Sequence, residues 1–209
     1  MKIHTIFENK IAEFTCDPLV QGIFLTGSMA RGTETEYSDL DIIVIYPENR
    51  VVEEVRDGVP IETHYNTYKS IIDRFKWDSG SLYLYVYGKI IMDSDGTLQK
   101  IVAEAKQMLV DYKVDDERKD FVTHKMQALK EKLTAAIKLN DTLKISYLIH
   151  NNFKHVVDYV YMQNSLPVPP QGLTYEIYDN LTVKPSDRWV ERLLTLKGIE
   201  LAEYVLRAI

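Results

Sequence analysis

The sequence predicts an α+β fold in which a β-sheet flanked by helices is followed by an all-α helical bundle. Short apolar runs rich in β-branched and aromatic residues, which are typical of strands, occur only before about residue 113. The rest of the chain has long segments of helical periodicity and no further strand pattern. We therefore predict two domains, residues 1–112 and residues 113–209.

Strand and helix patterns alternate through the first domain. Its predicted strands are residues 19–26, 40–46, 59–66 and 88–96. Its predicted helices are residues 2–15, the segment YKSIIDRFKW and residues 98–112. The run LYLYVYG places Tyr83, Tyr85 and Tyr87 at strand spacing, which predicts packing in the core or at a sheet edge.

The second domain is predicted to be a small bundle that binds an acceptor or a protein partner. Two long amphipathic segments meet at Asn140-Asp141, which indicates a pair of helices with a tight connection. The Pro-rich stretch 165–173 predicts a loop between helices. Two shorter helices are predicted around residues 187–196 and 198–208.

Composition excludes several classes of protein. The formal net charge of -6 argues against a nucleic-acid binder, which needs a basic face to neutralise phosphates. Cys16 is the single cysteine, so no internal disulfide can form. The sequence shows no leader pattern and no long apolar segment, which predicts a cytoplasmic protein without a membrane anchor.

Two pairs of residues, one just after the first predicted strand and one in the second, are suited to phosphate and metal chemistry. Gly27 and Ser28 come where a strand ends and a short helix is expected, so free N–H groups and a hydroxyl can face an anion. Asp39 and Asp41 are two residues apart in a predicted strand, so their side chains point the same way. Two carboxylates this close are costly unless a cation neutralises them.

Glu62 is the candidate for a third acid. It lies on the polar face of the third predicted strand and joins Asp39 and Asp41 if that strand pairs beside the second. Three carboxylates with water and phosphate oxygens are the ligands that Mg²⁺ prefers. His64 shares the face of Glu62 and is predicted to be a hydrogen-bonding residue rather than a catalyst.

Other acids fit the pattern less well. Asp57 precedes a glycine and is predicted to lie in a turn. Asp93 and Asp95 repeat the Asp-x-Asp spacing, but Asp95 is followed by glycine and no Gly-Ser pair precedes them at the same distance. We therefore predict that these three residues lie in loops.

The combined spacing matches the pattern GSxxRGxxxxxSDxD. Its members are Gly27, Ser28, Arg31, Gly32, Ser38, Asp39 and Asp41. The pattern resembles the nucleotidyltransferase superfamily, which includes DNA polymerase beta and the antibiotic nucleotidyltransferases, and the GSMARG stretch resembles its small bacterial branch. The helical half is similar only in general layout to the C-terminal bundle of kanamycin-type and minimal nucleotidyltransferases.

The resemblance implies a mixed β-sheet and a reaction with two Mg²⁺ ions and a nucleoside triphosphate. Asp39 and Asp41 would hold both ions, whereas Glu62 would hold only the ion beside the attacking oxygen. Glu62 would thus be dispensable for triphosphate binding and essential for transfer.

The resemblance also implies which residues bind the nucleotide. Gly27 and Ser28 would bind the outer phosphates, and Ser38 belongs to the same predicted site. Arg31 would add charge-assisted bonds, although local capping or pairing of this residue stays open. Some antibiotic-modifying relatives take a general base from the helical part or from a neighbouring subunit. The candidates here, by location alone, are Glu104, Glu117 and Asp120.

A polar stripe runs along the second long predicted helix. Tyr147, His150, Asn151, Lys154 and Asp158 follow one another at spacings of one, three and four residues. The stripe is either a solvated face or, if the bundle closes over the cleft, a functional one. In the second case we predict that Lys154 contacts phosphate and that His150 or Asp158 contacts the acceptor.

The predicted activity is transfer of a nucleoside monophosphate, AMP from ATP, to a hydroxyl of an aminoglycoside-like antibiotic, with release of pyrophosphate. One alternative is a toxin-antitoxin or regulatory protein that adenylylates a protein tyrosine, and another is an inactive nucleotide-binding protein. A ribonuclease-type bundle, with Arg118 and His124 as its signature, is a weaker variant. A homodimer and a helical protein partner both stay open.

Overall fold

The computed structural model describes residues 2–209, which fold as two compact units. The first unit ends at Val110, and the second runs from Asp111 to Ile209. A search of the described helices for one long and apolar enough to cross a membrane finds none.

The first unit combines five strands and five α-helices among its described residues. The strands are β1 (Gly22–Leu25), β2 (Leu40–Ile45), β3 (Arg50–Arg56), β4 (Val59–Asn66) and β5 (Lys89–Asp93). The helices are α1 (Lys2–Thr15), α2 (Gly27–Arg31), α3 (Tyr68–Trp77), α4 (Leu82–Tyr87) and α5 (Thr97–Val110).

The strands form one mixed sheet in the order β3-β4-β2-β1-β5. β2 pairs with β4 in parallel, and the other three pairings are antiparallel. The mixed sheet and the α+β class are confirmed. β1 and β2 are central strands with helices on both faces, which explains why their sequences are almost continuously apolar.

Each face of the sheet is covered by its own apolar cluster. On one face, α1 packs Ile3 and Ile6 against a group that includes Ile23. On the opposite face, α3, α4 and α5 pack around Phe24, with Ile101 of α5 fully buried there. Each fully buried side chain of this size contributes roughly 1.5–3 kcal/mol of transfer free energy, so the two clusters fix the helices on the sheet.

Ion pairs join α1 to the β3 side of the sheet. Lys10 is buried to 6% exposure and contacts Glu54 at 2.8 Å and Glu13 at 3.3 Å. Arg56 contacts Glu54 at 2.8 Å and also contacts Glu13. Because the Lys10 ammonium has two carboxylate partners, its burial is compensated.

β3 is an edge strand that the sequence patterns do not predict. Its sequence RVVEEVR carries four charges, and most of the strand is exposed, so the apolar alternation of a half-buried strand is missing. The strand forms because a hairpin joins it to β4. Asp57 and Gly58 both have positive φ, as a two-residue type I′ turn requires. The prediction that Asp57 lies in a turn is therefore correct.

The strand interpretation of LYLYVYG is wrong, because this segment forms α4. Tyr85 stacks on Phe24 at a ring distance of 5.2 Å and meets Phe75 edge to face at 5.3 Å. Such a short helix is apolar on nearly all sides, so its period cannot be distinguished from that of a buried strand. Gly88 ends the helix, and a Cβ there would lie 2.2 Å from the Phe24 ring.

Asp93 and Asp95 are structural residues. Asp93 is the last residue of β5 rather than a loop residue, and its carboxylate accepts hydrogen bonds from the N–H groups of Leu98 and Gln99. Asp95 accepts from the N–H of Thr97 at 3.0 Å. Both carboxylates thus satisfy free N–H groups at the start of α5.

The second unit is helical. Its helices are α6 (Asp116–Lys138), α7 (Thr142–Gln163), α8 (Gln171–Ile177), α9 (Trp189–Thr195) and α10 (Gly198–Ala208). The side chains of Asp115 and Asp141 cap α6 and α7 by accepting from N–H groups three residues ahead. The connection between these helices includes Asn140 at a φ of 53°.

The core of the second unit contains fully buried aromatic residues. Trp189 donates its indole N–H to the carbonyl of Tyr178 at 3.0 Å, and Tyr161 has no exposed surface. The predicted loop at 165–173 overlaps the start of α8, which is the one helix of this unit that sequence patterns do not predict. Proline is well tolerated at the start of a helix, so the Pro-rich stretch marks where α8 begins.

Candidate active site

Gly27 is the first residue of α2, two positions after the end of β1, and lies close against Asp41. Its φ of +70° favours glycine, and a Cβ at this position would lie 2.1 Å from Asp41 Oδ2. The backbone N–H of Thr26 donates to the Asp41 carbonyl at 3.1 Å. The turn after β1 is therefore fitted closely against the Asp41 side chain, and any other residue would displace that carboxylate.

Asp39 and Asp41 occupy the beginning of β2. The strand begins at Leu40, one residue later than Asp39, so the interpretation of Asp39 as a strand residue is wrong by one position. Asp39 is exposed, whereas Asp41 is half-buried. Asp41 alternates with the fully buried Leu40 and Ile42, so its side chain projects from the face of the sheet that carries α3, α4 and α5.

Glu62 lies directly opposite Asp41 on the neighbouring strand. β4 runs parallel to β2, and the register pairs Asp41 with Glu62. The condition on which the third acid depended, pairing of these strands, is fulfilled. On the other side of β4, the register pairs Glu62 with Glu53 of β3. Three acids thus stand in one row across β2, β4 and β3, and Glu53 was missed because β3 was missed.

The electrostatic environment of Asp41 is unfavourable for its charged form. Its pKa is raised from 3.8 to about 6, first by burial and then by the charges of Asp39 and Glu62. His64 and Arg31 act in the opposite direction but do not cancel the increase. A carboxylate in this situation is stabilised by any cation that binds beside it.

The donor set suits a divalent ion that shares its coordination sphere with a substrate. Within residues 2–209, no three His, Cys, Asp or Glu side chains are close enough together to form a protein-only metal cage. Mg²⁺ is usually bound by one or two carboxylates plus phosphate oxygens and water. Asp41 fits that role, because it is a half-buried carboxylate close against a glycine turn and the negative charges of Asp39 and Glu62 lie near it.

The remaining residues of the motif are held within the connection between α2 and β2. The Arg31 side chain donates from Nη1 to the Gly27 carbonyl at 2.7 Å, so this residue pairs locally. Ser28, at the start of α2, is half-buried. Ser38 accepts from the N–H of Thr35 at 2.9 Å and thereby closes a turn before Asp39. The nucleotide contacts of Arg31, Ser28 and Ser38 stay predictions.

The polar stripe of α7 divides into solvated and paired residues. Tyr147, His150, Asn151 and Lys154 are exposed. Asp158 is largely buried, with its carboxylate 3.6 Å from Arg118 Nη2 and 3.9 Å from His155 Nδ1. The predicted roles of Lys154 in phosphate binding and of His150 or Asp158 in acceptor binding stay predictions.

The general-base candidates differ in their surroundings. Glu104 accepts a hydrogen bond from the Tyr68 hydroxyl at 2.6 Å, so it stabilises the contact between α5 and α3. Glu117 and Asp120 are exposed on α6. His124, the candidate for ribonuclease chemistry, is also exposed on α6, whereas Arg118 is paired with Asp158.

Comparison with known proteins adds independent information. A nucleotidyltransferase domain family matches residues 8–133, which is more than half of the chain. A crystal structure of a nucleotidyltransferase-like protein from Exiguobacterium sibiricum 255-15 is similar with 14% identity and a TM-score of 0.42, over 94% of this chain and 69% of that chain. No curated protein matches the chain. The glycine turn, the paired acids and the matched residues together show that this chain belongs to the nucleotidyltransferase family and is a nucleotidyltransferase enzyme.

Proposed function

We propose that this protein transfers a nucleoside monophosphate from a Mg²⁺-bound triphosphate, with ATP as the first candidate, to a hydroxyl of a small cationic acceptor. The observation that carries the proposal is the position of Asp41, which lies against Gly27 and directly opposite Glu62. This arrangement would bring the glycine turn that binds phosphates next to the carboxylates that hold metal ions.

The acids would hold two divalent ions, in keeping with the use of triphosphates and divalent metals in this family. When bound, such ions activate the attacking hydroxyl and neutralise charge on the phosphates. Asp39 and Asp41 would bind both ions. Glu62 would bind only the ion on the acceptor side, because it extends the row of acids away from Gly27.

The reaction balances without a further reactant. The acceptor hydroxyl oxygen forms a bond to the α-phosphorus, the bond between the α-phosphorus and the bridging oxygen breaks, and pyrophosphate leaves. The hydroxyl proton passes to water or to a nearby base. Gly27 and Ser28 would position the outer phosphates, and in-line positioning with charge neutralisation supplies most of the catalysis in such transfers.

An aminoglycoside or another hydroxylated cation is the acceptor class that the charges favour. The chain carries a formal net charge of -6, and Glu53 continues the row of acids from Glu62 towards the edge of the sheet. A negative surface beside a site attracts cationic ligands and raises their association rate. Neutral hydroxylated compounds gain no such attraction.

A protein tyrosine is the second candidate acceptor. Leu143 and Tyr147 lie four residues apart on α7 with exposed fractions of 81% and 68%. Large apolar side chains exposed on one helix face are typical of surfaces that bind proteins. In that case the helical unit would bind the substrate protein, and modification would appear on the partner.

The first test is binding of the donor. Calorimetry with a non-hydrolysable ATP analogue and Mg²⁺ should show metal-dependent binding to the wild-type protein and none to Asp39→Asn/Asp41→Asn. The control Glu200→Gln/Glu203→Gln makes the same charge change at two exposed residues of α10 and should bind as wild type. Equal binding by both double variants would contradict the proposal, as would absence of nucleotide binding by the wild type.

The second test identifies the acceptor. Release of pyrophosphate from each of the four ribonucleoside triphosphates would be measured with a panel of aminoglycosides and with neutral polyols as controls. We expect release with a cationic acceptor and loss of release in Asp39→Asn. Release that depends instead on an added protein, with the nucleotide recovered on a tyrosine, would replace the first acceptor class with the second.

A further inference from the structure

We infer that His64 is a positioning residue that holds the Glu62 carboxylate in place for metal binding. The inference rests on the proposed function, because it assigns to His64 a role in the metal site that Glu62 would complete. It goes beyond that proposal by naming a residue outside the GSxxRGxxxxxSDxD pattern.

The contact between the two side chains is short and follows from the geometry of β4. His64 and Glu62 are two residues apart in this strand, so their side chains project from the same face. His64 Nε2 lies 2.7 Å from Glu62 Oε1. Two lone pairs would repel at this distance, so the imidazole carries a hydrogen on Nε2 and faces the carboxylate with it.

Glu62 needs such a contact because both neighbouring strands place an acid beside it. Asp41 lies opposite Glu62 on β2, and Glu53 lies opposite it on β3. Like charges opposite each other in a sheet repel, and a half-buried glutamate has several rotamers through which it can turn away. A hydrogen donor on the same face opposes that movement.

The contact leaves Glu62 able to bind an ion. It uses Oε1, so Oε2 is the oxygen through which Glu62 would coordinate a metal. Carboxylates that bind metals are commonly held by outer residues, and loss of such a residue typically weakens metal affinity 10- to 100-fold. If His64 instead competed with the ion for Glu62, it would weaken metal binding, and removal of His64 would strengthen metal binding.

The experiment measures metal affinity rather than turnover alone. Mn²⁺ would be titrated, by electron paramagnetic resonance, into the full-length protein saturated with a non-hydrolysable ATP analogue. We expect His64→Ala to weaken binding of the second Mn²⁺ by about 10- to 100-fold. His64→Gln, whose amide can donate in place of Nε2, should restore most of that affinity. His124→Ala, which removes an exposed histidine of α6, should bind as wild type.

Turnover gives a second readout. His64→Ala should lower kcat and leave the KM for the triphosphate within about twofold, since the ion on the acceptor side is the one affected. A merely structural role would alter both constants and would not be rescued by His64→Gln.

Each outcome decides the question. Unchanged or stronger Mn²⁺ binding in His64→Ala overturns the inference. It is also overturned if His64→Ala lowers kcat by the same factor in the wild type and in a Glu62→Gln background, because the two residues would then act independently. If Glu62→Gln loses the second Mn²⁺ while His64→Ala keeps it, only the inference fails. If the wild type binds no Mn²⁺ with the nucleotide, the proposed function fails and the inference fails with it.

Discussion

Two partly buried aspartates, Asp41 in the sheet unit and Asp158 in the helical unit, lie in opposite environments. In the sheet unit, Asp41 stands beside Asp39 and opposite Glu62, and its pKa is raised by burial and by these charges. In the helical unit, the largely buried Asp158 lies 3.6 Å from Arg118. Asp158 is therefore compensated within the fold, whereas Asp41 has more negative than positive charge around it.

The two environments have different consequences for the binding of a cation. A fold that leaves carboxylates uncompensated loses stability, and the bound cation returns that free energy as affinity. A paired aspartate offers no such gain. The surroundings of an acid, rather than its presence, therefore separate a candidate metal ligand from a structural residue.

The largest expected effect comes from Glu62→Gln, which removes one charge from the row of acids and keeps the side-chain shape. We expect nucleotidyl transfer to fall about 10²- to 10³-fold, the cost of removing one transition-state contact. The dissociation constant for the triphosphate should change less than about threefold, because Glu62 would serve only the acceptor side. Transfer assays and calorimetry on one preparation measure both quantities.

The matched control for Glu62→Gln is Glu53→Gln, its neighbour across β3 and β4. This variant should lower the rate of transfer by no more than a few-fold, because it only weakens the attraction of a cationic acceptor. Equal losses in the two variants would contradict the assignment of Glu62 as the third ligand.

The second effect tests the fit between the glycine turn and Asp41. Gly27→Ala places a Cβ 2.1 Å from Asp41 Oδ2 at a φ of +70°. We expect a loss of roughly 2–4 kcal/mol in the free energy of unfolding, from steric overlap added to backbone strain. Nucleotide binding should be lost as well. Chemical denaturation and calorimetry measure the two effects.

Gly58→Ala separates the effect of backbone strain from that of steric overlap with a neighbouring side chain. Gly58 has a φ of +82°, but a Cβ there meets nothing within 4 Å. This variant should lose only about 1 kcal/mol and should bind nucleotide normally. If both glycine variants behave alike, the contact with Asp41 has no special role.

The third effect is a change in the free energy of unfolding, which is compared between an aspartate of each unit. The pKa of Asp41 is raised from 3.8 to about 6, so folding favours its protonated form. The protonated form of Asp41 thus contributes stability that is fully present below the pKa of this group in the unfolded chain. That stability is lost as the pH rises through about 6. Asp41→Asn should therefore stabilise the metal-free protein near pH 7.5 by about 1–2 kcal/mol, a value discounted for partial exposure.

Asp158→Asn is the matched change in the helical unit. It leaves Arg118 without its partner, so we expect a loss of about 0.5–1 kcal/mol. Urea denaturation in EDTA, at about pH 5 and about pH 7.5, would compare the two variants with wild type. The comparison between the units fails if Asp41→Asn destabilises the protein near pH 7.5.

The sequence predicts the central strands and the motif well because those elements obey strong local rules. β1, β2 and β4 are apolar or alternating, and the Gly-Ser and Asp-x-Asp spacing fixes which strand ends carry the chemistry. The position of Glu62 could only be stated conditionally, since strand order depends on tertiary packing. Parallel pairing with β2 is what places it beside Asp41.

The errors occur where local pattern and tertiary context disagree. β3 forms on an exposed edge through hairpin bonding, so its charged sequence carries little strand signal, and Glu53 was overlooked with it. α4 is buried on nearly all sides, so its tyrosines imitate strand spacing. The short contact between His64 and Glu62 depends on side-chain rotamers, which spacing along a strand does not specify.

The smallest expected effect concerns Lys154, the residue of the helical unit that the sequence assigns to nucleotide binding. Lys154 is exposed on α7, so a phosphate contact there would be screened and worth at most about 1 kcal/mol. Lys154→Ala should then weaken triphosphate affinity about two- to fivefold at low salt. Added salt should reduce this difference, because it screens the contact in the wild type. The exposed Lys144, at the start of the same helix, provides the control Lys144→Ala. If both variants bind the triphosphate as wild type does, the stripe on α7 is a solvated face, and nucleotide binding belongs to the sheet unit alone.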